Sequence, residues 1–308
     1  MSTDAKPVPE SSVMLPPLPL SQWQATYDTL HMWTQMLGKV RLAYCPAVNH
    51  WWGVTLYVTA TGLTTSPMPY DQGSFEIQFD FVNHVLLIET SSGAFRELML
   101  EPQSVAEFYR KFMAALVGLG VDVRIYTMPM EFPNPIRFEL DEVHNAYDAE
   151  AVSRFWRILS WSDSVFKKFR ASFIGKASPV HFFWGSFDLA VTRFSGRPAP
   201  PRPDADAITA EAYSHEVSSA GFWPGGGGVD GPAYYSYAAP EPARFSEAKV
   251  KPASAFYHPT FREYLLMYDD VRNAASPEKS LMQFLQSTYD AAANLAMWDR
   301  AALERKSR

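Results

Sequence analysis

The sequence predicts an α+β fold in which antiparallel sheets pack against helices. Two patterns indicate it: short segments in which apolar and polar residues alternate, and longer segments in which apolar residues recur every three or four positions. The chain has 308 residues, of which 47% are apolar and 15% aromatic, so a sizeable core can form. We expect a flexible, proline-rich arm at residues 1–20 and a single α+β domain at residues 21–308.

The first half is predicted to contain a helix followed by a sheet. The helix should begin at Ser21, which has capping-box spacing to Gln24, and end at Gly38. His31 lies at the edge of its apolar stripe, where a hydrogen-bonded histidine is the favoured interpretation. An antiparallel meander is predicted next, from the segments WWGVTLYV, FEIQFDF, VLLIET and AFRELML. The alternation is clearest in FEIQFDF, which indicates that one face of the sheet is packed.

The later helices are predicted from their first residues. Ser104 with Glu107 begins one, Asp148 caps a long one that reaches about residue 173, and Ser276 with Pro277 begins the last. The segment VDVRIYTMPM is predicted to be a strand. The run from His181 to Arg193 is mostly apolar on both sides, so we expect a central strand that is buried on both faces.

The two halves of the chain resemble each other in the order of their elements. Each has a helix, a Gly-Lys pair, an aromatic segment with Trp-Gly, further strands and a later helix. The sequence leaves open whether residues 21–135 and 148–304 are duplicated α+β halves of one compact unit. In that case a cleft at their junction would be the expected ligand site.

Composition excludes several classes of partner. The net charge is −6 and the pI about 5.7, with no basic face, so nucleic acid is not expected to bind. The single cysteine, Cys45, excludes an internal disulfide and fits a reducing compartment. No segment reaches the ~18 uninterrupted apolar residues of a membrane span, and the first residues lack the pattern of a signal peptide. We expect a cytoplasmic, soluble protein; a homo-oligomer is left open.

Residues 178–224 carry the densest group of side chains that transfer protons or bind anions, beside large aromatic side chains. The candidate catalytic residues are His215, Glu211, Asp188 and His181, and the candidate binding residues are Trp184, Trp223 and Arg193. We expect the four titratable groups to line one cavity walled by the two tryptophans, because such groups are costly to bury without partners.

Two chemistries fit these titratable residues. Glu211 and His215 are four positions apart and share a face in a strand or a helix, so with a third ligand they could hold a divalent metal. His181 or Asp188 could supply that ligand, although their odd spacing of seven places them on opposite faces of one regular strand. His215 could instead act as a general base oriented by Glu211 or Asp188. A purely structural role for these residues is the third interpretation.

Arg193 has two interpretations as well. It could bind a substrate carboxylate, or it could form an internal ion pair with Asp188 or Asp299. The second is favoured.

Common catalytic and nucleotide-binding motifs are missing. The chain has neither G-x-S-x-G nor H-E-x-x-H, and the glycine run at 225–228 lacks the lysine and hydroxyl residue of a phosphate loop. No nucleotide cofactor is therefore indicated. The segments Arg197–Asp206 and Gly225–Gly231 are rich in proline or glycine, and we expect them to be mobile surface loops near the site.

Several long motifs resemble a family of uncharacterised bacterial proteins that is grouped as a domain of unknown function. The motifs are TLHMWTQMLGKVRL, NHWWGVTLYVTATGLTTSPMPY, SPVHFFWGSFDLAVTRFSGR, EAYSHEVSSAGFWPGG and FLQSTYDAAANL, and they are spread over nearly the whole chain from Trp23 onward. The resemblance implies one full-length domain family. It transfers no activity, cofactor or catalytic residue.

The leading hypothesis is a cytoplasmic protein with an aromatic-lined pocket for a small molecule, in which His215 carries acid–base or metal chemistry. The alternatives are a small-molecule-binding protein without catalysis, and a structural or interaction protein whose polar residues are all satisfied internally. An open cavity with converging polar groups would distinguish the first two from the third.

Overall fold

A computed structural model describes residues 14–306. The helices are α1 (Leu20–Tyr44), α2 (Val105–Val117), α3 (Ala149–Ala171), α4 (Ala207–Ala212), α5 (Tyr268–Arg272), α6 (Pro277–Leu295) and α7 (Arg300–Leu303). Short 3₁₀ helices lie at Asn49–Val54, Phe138–Leu140 and Phe245–Glu247. The strands are β1 (Tyr57–Val58), β2 (Gly62–Thr64), β3 (Met68–Tyr70), β4 (Gly73–Asp80), β5 (Val85–Thr90), β6 (Phe95–Met99), β7 (His181–Phe183), β8 (Asp188–Pro198), β9 (His215–Trp223), β10 (Ala233–Ala239), β11 (Phe256–His258) and β12 (Glu263–Met267).

Within residues 14–306 the strands form two antiparallel sheets of six strands each. The first has the order β1-β2-β4-β5-β6, with β3 paired to β4, and the second has the order β11-β12-β10-β9-β8-β7. The predicted α+β class, with antiparallel sheets and helices, is confirmed. A duplication of the two halves stays a prediction.

Much of the first sheet follows the predicted meander. In β4 the side chains of Phe75, Ile77 and Phe79 are buried, and the residues between them are partly exposed. Two predicted strands differ from the structure. The first begins only at Tyr57, because Trp52 belongs to a 3₁₀ helix that includes positive φ angles at His50 (59°) and Trp51 (61°). Residues 121–130 form an extended segment that pairs with no described strand, so their alternation reflects packing alone.

Helix α1 extends further than its sequence predicted. It begins at Leu20 without a side-chain cap, so the capping box from Ser21 is wrong, and it continues past Gly38 to Tyr44. Gly38 lies inside the helix, where a Cβ atom would overlap the indole ring of Trp184. The glycine therefore permits a close approach between α1 and a turn of the second half, rather than ending the helix.

Three other predicted helix starts are confirmed. The hydroxyl of Ser104 accepts a hydrogen bond from the backbone N–H of Glu107 at 3.1 Å, at the start of α2. The carboxylate of Asp148 accepts from the backbone N–H of Glu150 at 2.9 Å, at the start of α3. Helix α6 begins at Pro277, the position that suits proline because its N–H would have no partner there.

The predicted central strand from His181 to Arg193 is wrong in its position. Residues 184–187 form a turn that divides it into β7 and β8, and β7 lies at the edge of the second sheet. The burial that the apolar sequence indicated is nevertheless present, since Phe182, Leu189 and Val191 are fully buried. The backbones of Leu56 and Phe182 also exchange two hydrogen bonds of 2.9 Å. This pair joins the chain just before β1 to β7 and so links the two sheets.

The second sheet has two different faces. On one face, helices α3 and α6 pack against the central strands, and Tyr234 of β10 forms a buried hydroxyl–hydroxyl hydrogen bond of 3.0 Å with Ser162 of α3. Within residues 14–306, no long helix covers the opposite face. It is covered instead by loops, by α4 and by the 3₁₀ helix Asn49–Val54.

Part of the predicted N-terminal arm can be compared with the structure. In residues 14–19 the side chains of Leu15 and Leu18 are buried, and the carbonyl oxygen of Pro16 accepts a hydrogen bond from Tyr268 at 2.8 Å. Residues 1–13 lie outside the described part of the chain. No helix between residues 14 and 306 is both long enough and apolar enough to cross a membrane.

The two predicted loops both lie beside the second sheet. In the first, residues 200–204 are exposed and lead into α4, a helix that the sequence analysis did not predict. In the second, Gly225–Gly231 connects β9 to β10, with positive φ at each residue of the glycine run 225–228. The mobility of both loops stays a prediction.

Replacing Gly38 by alanine tests the contact between α1 and Trp184. Alanine favours a helix by about 1 kcal/mol over glycine, but its Cβ would overlap the indole ring, so we expect Gly38→Ala to lower the free energy of unfolding by about 1–3 kcal/mol. Urea denaturation measures this change. In a Trp184→Leu background the same substitution should cost much less. Equal losses in both backgrounds would contradict the contact.

Candidate functional site

A cavity of about 770 Å³ lies on the face of the second sheet that is opposite α3 and α6. Strands β8, β9, β10 and β12 contribute to its floor. Its walls come from the 3₁₀ helix Asn49–Val54, residues 130–131, the turn at 184–186, helix α4 and Phe261. The two halves of the chain therefore both contribute residues to it.

The alternation of β8 supplies one part of the floor. Asp188, Ala190 and Thr192 line the cavity, and the residues between them point to the helices on the other face. Directly opposed residues of antiparallel strands share a face, so the register places Gly221 of β9 and Tyr235 of β10 in one row with Ala190.

Asp188 and Tyr235 form the central polar pair of the cavity. The hydroxyl of Tyr235 donates a hydrogen bond to Oδ2 of Asp188, across the intervening strand β9. A Cβ atom on Gly221 would overlap the end of the Tyr235 ring. Glycine at this position therefore allows the tyrosine to lie across β9 and reach β8.

Two carboxyl groups in the cavity have pKa values near neutrality. Burial raises the pKa of Asp188 from 3.8 to about 7; the hydrogen bond from Tyr235 opposes this rise, and the nearby charge of Glu131 adds to it. Burial also raises the pKa of Glu263, which begins β12, to about 7, with a smaller contribution from the charge of Asp188. Such groups can both bind and release protons at neutral pH.

Hydroxyl groups and aromatic rings provide the remaining surface. The hydroxyls of Tyr213 and Tyr237 are 2.9 Å apart, as are those of Thr192 and Ser219. A hydroxyl can donate one hydrogen bond and accept more, so each pair can also bond to a ligand. Other large aromatic side chains that line the cavity are Trp51, Trp52, Phe183, Trp184, Phe194, Trp223 and Phe261.

Helix α1 holds two of the loops that form the walls. Nε2 of His31 lies 2.8 Å from the carbonyl oxygen of Gly185, and burial lowers the pKa of this histidine to about 4, so the neutral ring donates. The amide of Gln35 donates to the carbonyl oxygen of Met130 and accepts from its N–H, both at 2.8 Å. The expected hydrogen-bonded histidine at the edge of the core is confirmed, and its partner is a cavity wall.

The structure brings together only part of the predicted site. Asp188, Trp184 and Trp223 line the cavity, and the side chains of the other four candidates lie elsewhere. No group of three or more His, Cys, Asp or Glu residues with the arrangement of a metal site occurs within residues 14–306.

His215 and Glu211 lie beside the cavity and do not share a face. Nδ1 of His215 is 3.1 Å from the hydroxyl of Ser214, and its ring centroid is 5.7 Å from that of His50. The side chain of Glu211 is exposed, and only its carbonyl oxygen accepts a hydrogen bond from His50, at 3.1 Å. The spacing argument required one continuous element, but α4 ends at Ala212 before β9 begins at His215.

His181 is fully buried behind Trp52, with the two ring centroids 5.7 Å apart. Burial, with the charges of Arg41 and Arg170, lowers the pKa of this histidine to about 3. The expectation that His181 and Asp188 lie on opposite faces, because they are seven positions apart, was wrong. Because the strand is interrupted by a turn, His181 pairs with Ala190 and lies on the same sheet face as Asp188.

Arg193 lies on the opposite face of the second sheet and does not line the cavity, and its predicted ion pair with Asp188 or Asp299 is wrong. Its guanidinium carbon is 3.4 Å from the ring centroid of Phe169 and 4.3 Å from that of Tyr289. Among the described residues it forms no ion pair with Asp188 or Asp299, and Asp299 instead caps α7. Cation–π contacts stabilise the buried charge.

Sequence analysis missed Tyr235 and Glu263. The alternation in the segment AYYSYAA places Tyr235 and Tyr237 on one face, and a glutamate begins the otherwise apolar strand EYLLM. Both signals are present in the sequence. Neither shows which face is open to a cavity.

The raised pKa of Asp188 predicts how stability depends on pH. Because this pKa is about 7 in the folded protein and ordinarily 3.8, the protonated carboxyl favours the fold; the contribution is complete at low pH and is lost as the pH rises through about 7. We expect the free energy of unfolding to fall between about pH 4 and about pH 7, the ordinary and the folded pKa of this carboxyl, and Asp188→Asn to reduce this fall. Urea denaturation at several pH values measures it. The exposed Asp270→Asn is the control, and an unchanged slope in Asp188→Asn would contradict the assignment.

Removing the tyrosine hydroxyl should move the pKa of Asp188 in a known direction. Because the bond from Tyr235 favours the ionised carboxylate, we expect Tyr235→Phe to raise the pKa of Asp188 further. Carbon-13 NMR titration of the carboxyl measures it, with the signal assigned by its loss in Asp188→Asn. Tyr237→Phe is the matched control, since that hydroxyl bonds Tyr213 instead. Equal shifts in both variants would show that the hydroxyl bond is not the cause.

Comparison with known proteins gives a family and no function. No curated protein and no solved structure matched the chain. One family model matches residues 15–305, which include every residue that lines the cavity. The match confirms the resemblance to a domain of unknown function, whereas a bacterial origin stays a prediction. The chain belongs to DUF5996, a family of unknown function.

Proposed function

We propose that this protein binds a small molecule in the cavity over its second sheet and that Asp188 exchanges a proton with it. The observation that carries the proposal is the Asp188–Tyr235 pair, a buried carboxyl with a pKa of about 7 at the floor of an open cavity. A cavity of about 770 Å³ is in the size range of ligand sites. A carboxyl that served only to hold strands together would need no such space beside it.

The pair suits acid–base chemistry. With a pKa near neutrality, Asp188 is a base when ionised and an acid when protonated, and both forms are populated at neutral pH. Burial and the neighbouring Asp188 raise the pKa of Tyr235 well above 10, so this hydroxyl stays protonated and orients the carboxylate. Tyr235 is then a positioning residue, and Glu263 is a second proton-exchanging group in the same cavity. These residues replace His215 as the proposed centre.

A binding protein without catalysis is the second candidate. The tryptophan and phenylalanine side chains of the walls favour it, because aromatic contacts give affinity and need no reaction. Both candidates share the bound small molecule. For either, we propose a cytoplasmic location, which the single cysteine supports.

Blocking the cavity tests the proposal. Ala212 of α4 lines the cavity, whereas Ala210 of the same helix is exposed and does not line it. Purified protein is incubated with the small-molecule fraction of a cell extract, washed, and its retained compounds are identified by mass spectrometry. We expect the native protein and Ala210→Trp to retain a compound that Ala212→Trp does not.

The same experiment separates the two candidates. Asp188→Asn keeps an acceptor for the Tyr235 hydroxyl but cannot exchange a proton, so an enzyme would retain its substrate unconverted in this variant. A binding protein would release the same compound from the native form and from Asp188→Asn. If nothing is retained, or if Ala212→Trp retains as much as Ala210→Trp, the proposed function fails.

A further inference from the structure

The charged groups that line the cavity are acidic. Carboxyls come from Glu131, Asp188 and Glu263, and none of the described lining residues is a lysine or an arginine. The one imidazole of the lining belongs to His50, and burial together with the nearby charge of Lys176 lowers the pKa of this histidine, which keeps it neutral at neutral pH. The lining therefore contains no side chain that compensates the carboxylates when they ionise.

Two arginines, Arg202 and Arg262, line an adjoining groove of about 550 Å³, which shares Tyr213, Tyr237, Phe261 and Glu263 with the cavity. Arg202 lies over the ring of Tyr213, with its guanidinium carbon 4.1 Å from the centroid, and Arg262 is 3.0 Å from Glu241. Both arginines therefore already contact groups of this groove, on the outer side of the Tyr213–Tyr237 pair. The carboxyl of Asp188 faces Tyr235 of β10, Ser186 of the turn and the charge of Glu131.

Aromatic rings line the same cavity as these carboxyls. The rings of Tyr235 and Tyr237 stack at 6.1 Å, and the ring of Trp223 meets that of Phe261 edge-on at 6.1 Å. The faces of aromatic rings attract cations, most strongly where water is excluded. Carboxylates attract the same groups and repel anions.

We propose that the small molecule bound in this cavity is an organic cation, an ammonium group on an apolar or aromatic body, with its charge against Asp188 and Glu263. The inference rests on the proposed function, since it names the class of ligand for the same cavity. A cation would compensate carboxylates for which the described lining residues supply no positive charge. An anion would face three carboxyls, and a neutral molecule would leave their charge uncompensated.

Three probes of similar shape and different charge test the inference: phenethylamine, 2-phenylethanol and phenylacetate. Their dissociation constants are measured by tryptophan fluorescence at about pH 8, where Asp188 and Glu263 are mostly ionised. We expect the ammonium probe to bind about tenfold more tightly than the alcohol, and phenylacetate to bind most weakly. At about pH 5.5 both carboxyls are protonated, so the preference for the cation should shrink.

Variants connect the preference to these carboxyls. Asp188→Asn and Glu263→Gln should each reduce the preference for the ammonium probe, and the combination should abolish it. Glu241→Gln is the matched control, because Glu241 belongs to the adjoining groove and does not line the cavity. Circular dichroism shows whether each variant folds, and the single variants suffice if the double one does not.

The outcomes separate this inference from the proposed function. If the alcohol binds as tightly as the ammonium probe, or if the preference persists in the carboxyl variants, the cation inference is overturned while small-molecule binding stands. If none of the three probes binds at millimolar concentration, or if Ala212→Trp leaves their binding unchanged, the cation inference is overturned. The proposed function is judged separately, by the compound that the native protein retains from the cell extract.

Discussion

The position of the Trp184 indole determines how the two halves of this protein meet. Its Nε1 donates a hydrogen bond of 2.7 Å to the carbonyl oxygen of Val54, and its ring lies against α1 at Gly38, where any side chain would overlap it. One side chain of the second half thus contacts both the first helix and the 3₁₀ helix of the first half. The 3₁₀ helix is thereby held over the open face of the second sheet.

The two faces of the second sheet have different roles, because successive side chains along each strand point to opposite faces. Leu189, Val191 and Arg193 belong to the face that packs against helices, and Asp188 belongs to the face that lines the cavity. Arg193 is buried with a charge that aromatic rings stabilise, whereas burial disfavours the charge of Asp188 and the hydrogen bond from Tyr235 only partly opposes this. Arg193 and Asp188 are only five residues apart, yet they lie on opposite faces of the sheet and in different environments. The first packs among aromatic rings on the helix-covered face, and the second lines the cavity in which we propose that a ligand binds.

The acidic lining carries an energetic cost at neutral pH. The raised pKa values of Asp188 and Glu263 mean that ionising them opposes folding. Groups of this kind concentrate at functional sites, because a protein that needed only stability would replace them. Gly221 also supports a functional role for Asp188, since the absence of a side chain there lets Tyr235 reach Asp188.

The sequence by itself determined the local features of this protein. Asp148 caps α3 and β4 buries alternate aromatic residues because capping and alternation depend on residues a few positions apart. It also identified the segment that contains Asp188, Trp184 and Trp223. Only the tertiary structure decided that Asp188 meets Tyr235, 47 positions away, and that His31 bonds to Gly185, 154 positions away. Such pairs follow from strand order and register, and these depend on how the whole chain packs. Local patterns do not encode them, so the residues of the cavity could be proposed from the sequence but their partners could not.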